Sequence, residues 1–97
     1  MKYAGFWEFD PASLDVIVMK SERSSEEREE YPRKYPEIIL GPFVFEGESR
    51  GFTVYEVEDP EQLKNVVDHY APEMGYEFKR LVETTKFAEL HRRKETA

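Results

Sequence analysis

The chain has no cysteine, which excludes disulfides, thiolate nucleophiles and thiolate-bound metal at once. Its two histidines, His69 and His91, stand at no spacing that suits zinc, so no metal is expected. Side-chain amides are equally scarce: Gln62 and Asn65 are alone beside a charged content of 36%. Few thermolabile amides among many ion-pair formers is a thermophile-like composition. Positive charge is in deficit, with 14 Lys and Arg against 21 Asp and Glu, for a net charge of −7. A surface of that sign repels phosphate backbones and anionic lipid, so no nucleic acid and no membrane is expected as a partner. No apolar run has the length of a membrane span or forms the core of a secretory signal, which makes the cytoplasm the expected location. No glycine-rich phosphate loop is present either. Gly47 and Gly51 lead into a strand pattern, without a following Lys-Ser or Lys-Thr pair, so no cofactor is expected.

What the chain does have is aromatic density. Seven Phe, six Tyr and one Trp make 14% of 97 residues, and 39% are hydrophobic, enough for the core of one domain over 1–97. Charge is unevenly placed. Between 46 and 61, six acids (Glu46, Glu48, Glu56, Glu58, Asp59, Glu61) face Arg50 alone. Near the end, Lys86, Arg92, Arg93 and Lys94 read as the solvated end of a helix rather than as a nucleic-acid contact.

Tyr3 to Phe9 is apolar on both faces, as in an interior strand. Asp10-Pro11 then starts a helix, with Asp as cap and Pro at the first helical position. Leu14, Ile17, Val18 and Ser21 follow at helical spacing, and Ser21 to Glu30 is almost wholly polar, with Arg23 and Glu27 one turn apart as an expected ion pair. Pro32 and Pro36 end it, and Tyr31 and Tyr35 are expected to fold back onto the body. Glu37 to Glu46 reads as a strand interrupted at Gly41-Pro42, hence an edge strand or a kinked one. A turn over Gly47 to Gly51 leads to a strand from Phe52 to Val57. Asp59-Pro60-Glu61-Gln62 starts a second helix with a capping-box arrangement and a buried stripe of Leu63, Val66, Val67 and Tyr70. Tyr76 to Glu83 is the last strand, and a short helix at about 85–93 turns Phe87 and Leu90 inward.

The order strand, helix, strand, strand, helix, strand contains an echo: Trp7-Glu8-Phe9-Asp10-Pro11 and Tyr55-Glu56-Val57-Glu58-Asp59-Pro60 each run into a Pro-started helix. This is the pattern of an α+β, ferredoxin-like βαββαβ sandwich with an antiparallel-type four-stranded sheet. Its first and third strands are expected as central, parallel neighbours. Helices cover one sheet face only, so the other, carrying aromatics, calls for a second copy: a homodimer with sheets packed face to face.

Glu37-Ile38-Ile39-Leu40-Gly41-Pro42, Arg50-Gly51-Phe52-Thr53-Val54-Tyr55-Glu56-Val57 and Asp59-Pro60-Glu61-Gln62-Leu63 resemble a largely archaeal family of undetermined activity. That family sits in the dimeric α/β-barrel superfamily, and the resemblance runs from about Lys2 to Leu90. It implies a dimeric barrel and substrate held between sheet and helices or inside the barrel. Superfamily members of similar fold include cofactor-free monooxygenases, haem-degrading enzymes and lactone isomerases. Likeness of fold transfers no activity by itself.

Two groups of residues are candidates for chemistry. Glu8 and Glu56, on parallel neighbours about 4.8 Å apart, are expected to lie side by side and to share a proton, as general acid–base work requires. The simpler alternative is that each pairs with a cation or sits in water. Phe6, Trp7, Phe52 and Tyr55 are candidates for a pocket that takes a flat apolar ligand, against the plainer role of core or dimer interface. Base stacking by strand aromatics is disfavoured by the acidic 46–61 stretch. His69 is expected to complement the dipole of its helix. Ser24, Ser25 and Ser49 have no His and Asp set that forms a triad. The reading is a small homodimer that binds an apolar or aromatic molecule or plays a structural part. The alternative is a cofactor-independent monooxygenase or isomerase using one of the two glutamates.

Overall fold

Strand β1 (Lys2–Phe9) ends at Asp10, whose carboxylate accepts the Ala12 N–H at 3.0 Å and opens a single 3-10 turn, Pro11–Ser13, leading into helix α1 (Leu14–Glu30). The chain continues through β2 (Glu37–Val44), β3 (Arg50–Glu56), α2 (Glu61–Tyr70), β4 (Met74–Leu81) and α3 (Thr84–Thr96). A computed structural model describes residues 1–96. The sheet order is β2-β3-β1-β4, and every neighbouring pair is antiparallel. Together with the β-α-β-β-α-β order this is an α+β ferredoxin-like fold. Among the described residues, no helix is long and apolar enough to cross a membrane.

The first and third strands are central, as expected, but antiparallel rather than parallel. The reason is topological. The α1 crossover returns the chain so that β2 runs like β1, and the tight hairpin then sends β3 back between them in the opposite sense. The register pairs Lys2 with Glu56, Phe6 with Phe52 and Glu8 with Arg50.

Because side chains alternate along a strand, this register sorts the aromatics onto two faces. Gly51, Thr53 and Tyr55 of β3 are buried beneath the helices. Tyr3, Gly5 and Trp7, which pair with Tyr55, Thr53 and Gly51, share that face. Phe52 points the other way, flanked by its partners Phe6 and Phe43, with ring centroids at 6.4 and 5.8 Å. Phe45 stacks on Phe52 at 5.9 Å and completes a phenylalanine cluster on the open face.

The covered face holds the core. Tyr55, Val57 and Leu63 are buried together, with Tyr3 and Phe78 against them. Gly51 is needed here: a Cβ at this position would lie 2.0 Å from the Phe43 carbonyl oxygen and 2.6 Å from Trp7 Cη2. Strand β2 is both an edge and kinked, since its pairing with β3 shifts between Ile38 and Leu40 and again between Leu40 and Phe43. Gly41 turns the corner at φ +90°, which a side chain would resist.

The start of α2 is tied to the loop after α1 by one buried side chain. Gln62 Oε1 accepts the backbone N–H of Glu58 at 2.9 Å and of Asp59 at 3.4 Å, the expected capping box. Its Nε2 donates outward to the carbonyls of Arg33 at 3.0 Å and Tyr35 at 3.4 Å. Of the two tyrosines expected to fold back, Tyr35 is buried and Tyr31 is exposed. Arg23 and Glu27 do not pair; the Glu27 carboxylate turns instead to Lys34 at 3.1 Å and to Tyr35. Phe87 was expected inward but is 66% exposed, because among the described residues nothing of the same chain covers that side of α3. The Leu90 side chain lies outside the described residues.

Replacing Gln62 with Leu leaves two carbonyls and two N–H groups without this partner, so Gln62→Leu should lose about 2–3 kcal/mol in urea-induced unfolding. Gln62→Glu, which keeps the acceptor half, should lose less.

Candidate functional site

Helix α1 faces the sheet with the row Leu14, Ile17, Ser21, Ser24 and Arg28, spaced three and four residues apart. The row starts as an ordinary core stripe. At Ser21 and Ser24 it carries side chains too short to reach the strands, and at Arg28 it ends in a cation. Short residues at positions that usually hold Leu leave volume unfilled between helix and sheet. The result is a cleft of about 560 Å³.

Its sheet wall comes from the alternation already described: Trp7 and Phe9 of β1, Thr53 and Tyr55 of β3, Met74 and Tyr76 of β4, and Ile38 and Val44 at the β2 edge. Val66 and Tyr70 of α2 close one side. Trp7 Nε1 donates to Thr53 Oγ1 at 3.0 Å and fixes the indole in the wall. Burial raises the Tyr55 and Tyr76 phenols above their ordinary range, so both remain neutral hydroxyls at physiological pH. The cleft is therefore apolar and aromatic, with neutral hydroxyls and one cation. Among the described residues no carboxylate lines it.

At the far end of α1, the Arg28 guanidinium donates through Nη1 to the Pro36 carbonyl at 2.6 Å and lies 5.3 Å above the Tyr35 ring. Behind Tyr35 runs a polar network joining α1 to α2. The Tyr35 hydroxyl donates to Glu27 Oε2 and stands 3.2 Å from His69 Nδ1. His69 Nε2 in turn donates to the Lys20 carbonyl at 2.6 Å. Lys20 Nζ donates to Glu73 Oε2 and to the Ala71 carbonyl, both at 2.8 Å. His69 does sit in the last turn of α2, but its ring also bonds across to α1.

The proposed pocket residues divide between the two faces. Trp7 and Tyr55 line the cleft, whereas Phe6 and Phe52 belong to the phenylalanine cluster on the open face. Alternation along the strand turns Phe6 and Trp7 to opposite faces, so only Trp7 enters the cleft under α1, while both border, with Glu8, a smaller cleft of about 340 Å³. Glu8 and Glu56 are not neighbours. Antiparallel pairing sets them six register positions apart, roughly 20 Å at the rise of a strand. Glu8 stands at the sheet end beside Asp10, Glu48 and Glu73, and Glu56 pairs with the chain's amino terminus at 3.1 Å. Neither reaches the cleft under α1. The residues missed were Ser21, Ser24, Arg28, Tyr70 and Tyr76. Their signal was present in α1 as a helical row whose side chains shrink in mid-helix.

No protein-family model matches the chain, and no curated protein matches it. Among the described residues, no three of His, Asp and Glu gather where they could hold a metal ion.

The Tyr35 hydrogen bond is the main cause holding the Glu27 carboxyl below its ordinary value of 4.5, with Lys34 next. A carboxyl depressed on folding contributes stability that is present above its unfolded value and lost as pH falls through the folded one. Tyr35→Phe should therefore lower the melting temperature most at neutral pH. Its deficit against the unmodified protein should shrink as pH falls below 4.5, as followed by circular dichroism.

Proposed function

We propose that the chain binds a small apolar or aromatic molecule in the cleft between α1 and the sheet. The observation that carries this is the serine pair on the sheet-facing row of α1, which leaves about 560 Å³ beside Trp7, Tyr55 and Tyr76. That volume lies within the range of pockets that hold small ligands. A cofactor-independent monooxygenase or isomerase needs a proton carrier beside its substrate. Among the described residues the cleft offers no carboxylate for that task, so binding is the favoured reading.

The working unit in this proposal is a homodimer of the dimeric α/β-barrel kind, joined through the open sheet face. Phe43 is 50% exposed and Phe6 38%, and they flank Phe52 in one row across three strands. An apolar patch of this kind on a bare sheet is stabilised when an identical patch covers it. The membership of the largely archaeal family, the cytoplasmic location and the thermophile origin belong to the same proposal. They are supported by the quoted sequence motifs and by an acidic, cysteine-free, amide-poor composition.

Two measurements test it. Naphthyl compounds should raise the melting temperature and change the fluorescence of Trp7, the only tryptophan. Ser21→Leu, which fills the cleft, should weaken that binding at least tenfold without loss of stability; unchanged binding would remove the cleft from consideration. Light scattering should give twice the 11.5 kDa chain mass, falling to a single chain in Phe52→Asp. A single-chain mass for the unmodified protein at micromolar concentration would sink the dimer.

A further inference from the structure

We propose that the molecule held in the cleft is an apolar carboxylic acid, whose carboxylate is received by Arg28 while its body lies along Trp7 and Tyr55. This rests on the reading of the cleft as a ligand site and adds the chemical class of the ligand.

Arg28 is the argument. It is half-buried on a chain with 21 acidic residues, yet among the described residues it forms no ion pair. The comparison with its neighbours is direct. Lys20 and Lys34, also placed around α1, each have a carboxylate partner, at 2.8 and 3.1 Å. A partly desolvated guanidinium without an anion is costly unless something supplies one. Among the described residues the cleft itself does not, since its other polar lining consists of hydroxyls and the Trp7 indole N–H.

The guanidinium is also held in position. One of its five N–H groups donates to the Pro36 carbonyl at 2.6 Å, and its plane rests above the buried Tyr35 ring at 5.3 Å. Tyr35 is itself fixed by its bonds to Glu27 and His69. The remaining N–H groups form a fork of the kind that takes a carboxylate by two parallel hydrogen bonds. The buried Tyr55 and the half-buried Tyr76 line the same cleft as Arg28. A ligand amine would meet a like charge there. A neutral ligand would leave the guanidinium without its counter-ion. One cation matches a single negative charge, which favours a carboxylate over a phosphate dianion.

The test needs no variant at first. Titrations at pH 7, followed by Trp7 fluorescence and by calorimetry, compare 2-naphthoate, 2-naphthamide and 2-naphthyl phosphate on the unmodified chain. The acid should bind at least tenfold tighter than the amide, and at least as tightly as the phosphate. Arg28→Met should cost the acid tenfold or more and leave the amide unchanged, while Arg28→Lys should keep part of the preference. Equal binding of acid and amide overturns the carboxylate assignment and leaves the apolar cleft standing. Tighter binding of the phosphate overturns it in favour of a dianion. Failure of all three probes to bind overturns both the assignment and the cleft reading beneath it. If Arg28→Met does not fold, the comparison of acid with amide on the unmodified chain still decides.

Discussion

Strand β1 is hydrogen-bonded along its length to β3 on one side and to β4 on the other, and the rest of the molecule is placed by that double pairing. With β1 fixed in the middle of the sheet, its alternation divides the chain's aromatic residues. Tyr3 and Trp7 go beneath the helices, and Phe6 goes to the bare face. The pairing tolerates no side chain at Gly51, where Phe43 and Trp7 close in from two sides. The core under the helices and the phenylalanine cluster outside them are consequences of one register.

Above this sheet the two helices behave differently. Helix α2 brings Leu63 and Val66 down into contact and seals its half of the sheet in the ordinary way. Helix α1 begins likewise with Ile17, then presents serine where filling would need a larger side chain. A helix cannot sink onto a sheet to close such a gap when its ends are held, and α1 is held at both. Asp10 caps the turn at its start. Near its end, Arg28, Tyr35 and the Glu27–Tyr35–His69 bonds tie it to α2 and to the loop before β2. The same side chains that keep the cleft open therefore give it a polar end. Arg28 belongs to both, as a strut against Pro36 and as a charge facing the cavity.

Much of the architecture was legible from punctuation and period. Asp10-Pro11 and Asp59-Pro60 marked the helix starts, Gly41-Pro42 marked a kinked edge, and the capping role of Gln62 followed from its spacing to Asp59. The candidate site was less legible. Glu8 and Glu56 occupy equivalent places in two sequence echoes, which suggested adjacency. Yet equivalent ends of antiparallel strands lie at opposite edges of a sheet. Phe6 and Trp7 are adjacent in the chain, so alternation sends only Trp7 to the cleft beneath α1. Arg28 looked like one more charge in a polar helix, because past Ile17 the row that begins at Leu14 holds no apolar residue to mark it as turned to the sheet.

The sequence by itself determined the element order, the absence of thiol chemistry and the one-sided covering of the sheet. These depend on composition, turn residues and short-range period, all of which are local. Only the tertiary structure decided which aromatics meet, how far apart the two glutamates stand, and that among the described residues a cation and no carboxylate lines the cleft. Those are relations between residues tens of positions apart, and strand direction and register set them.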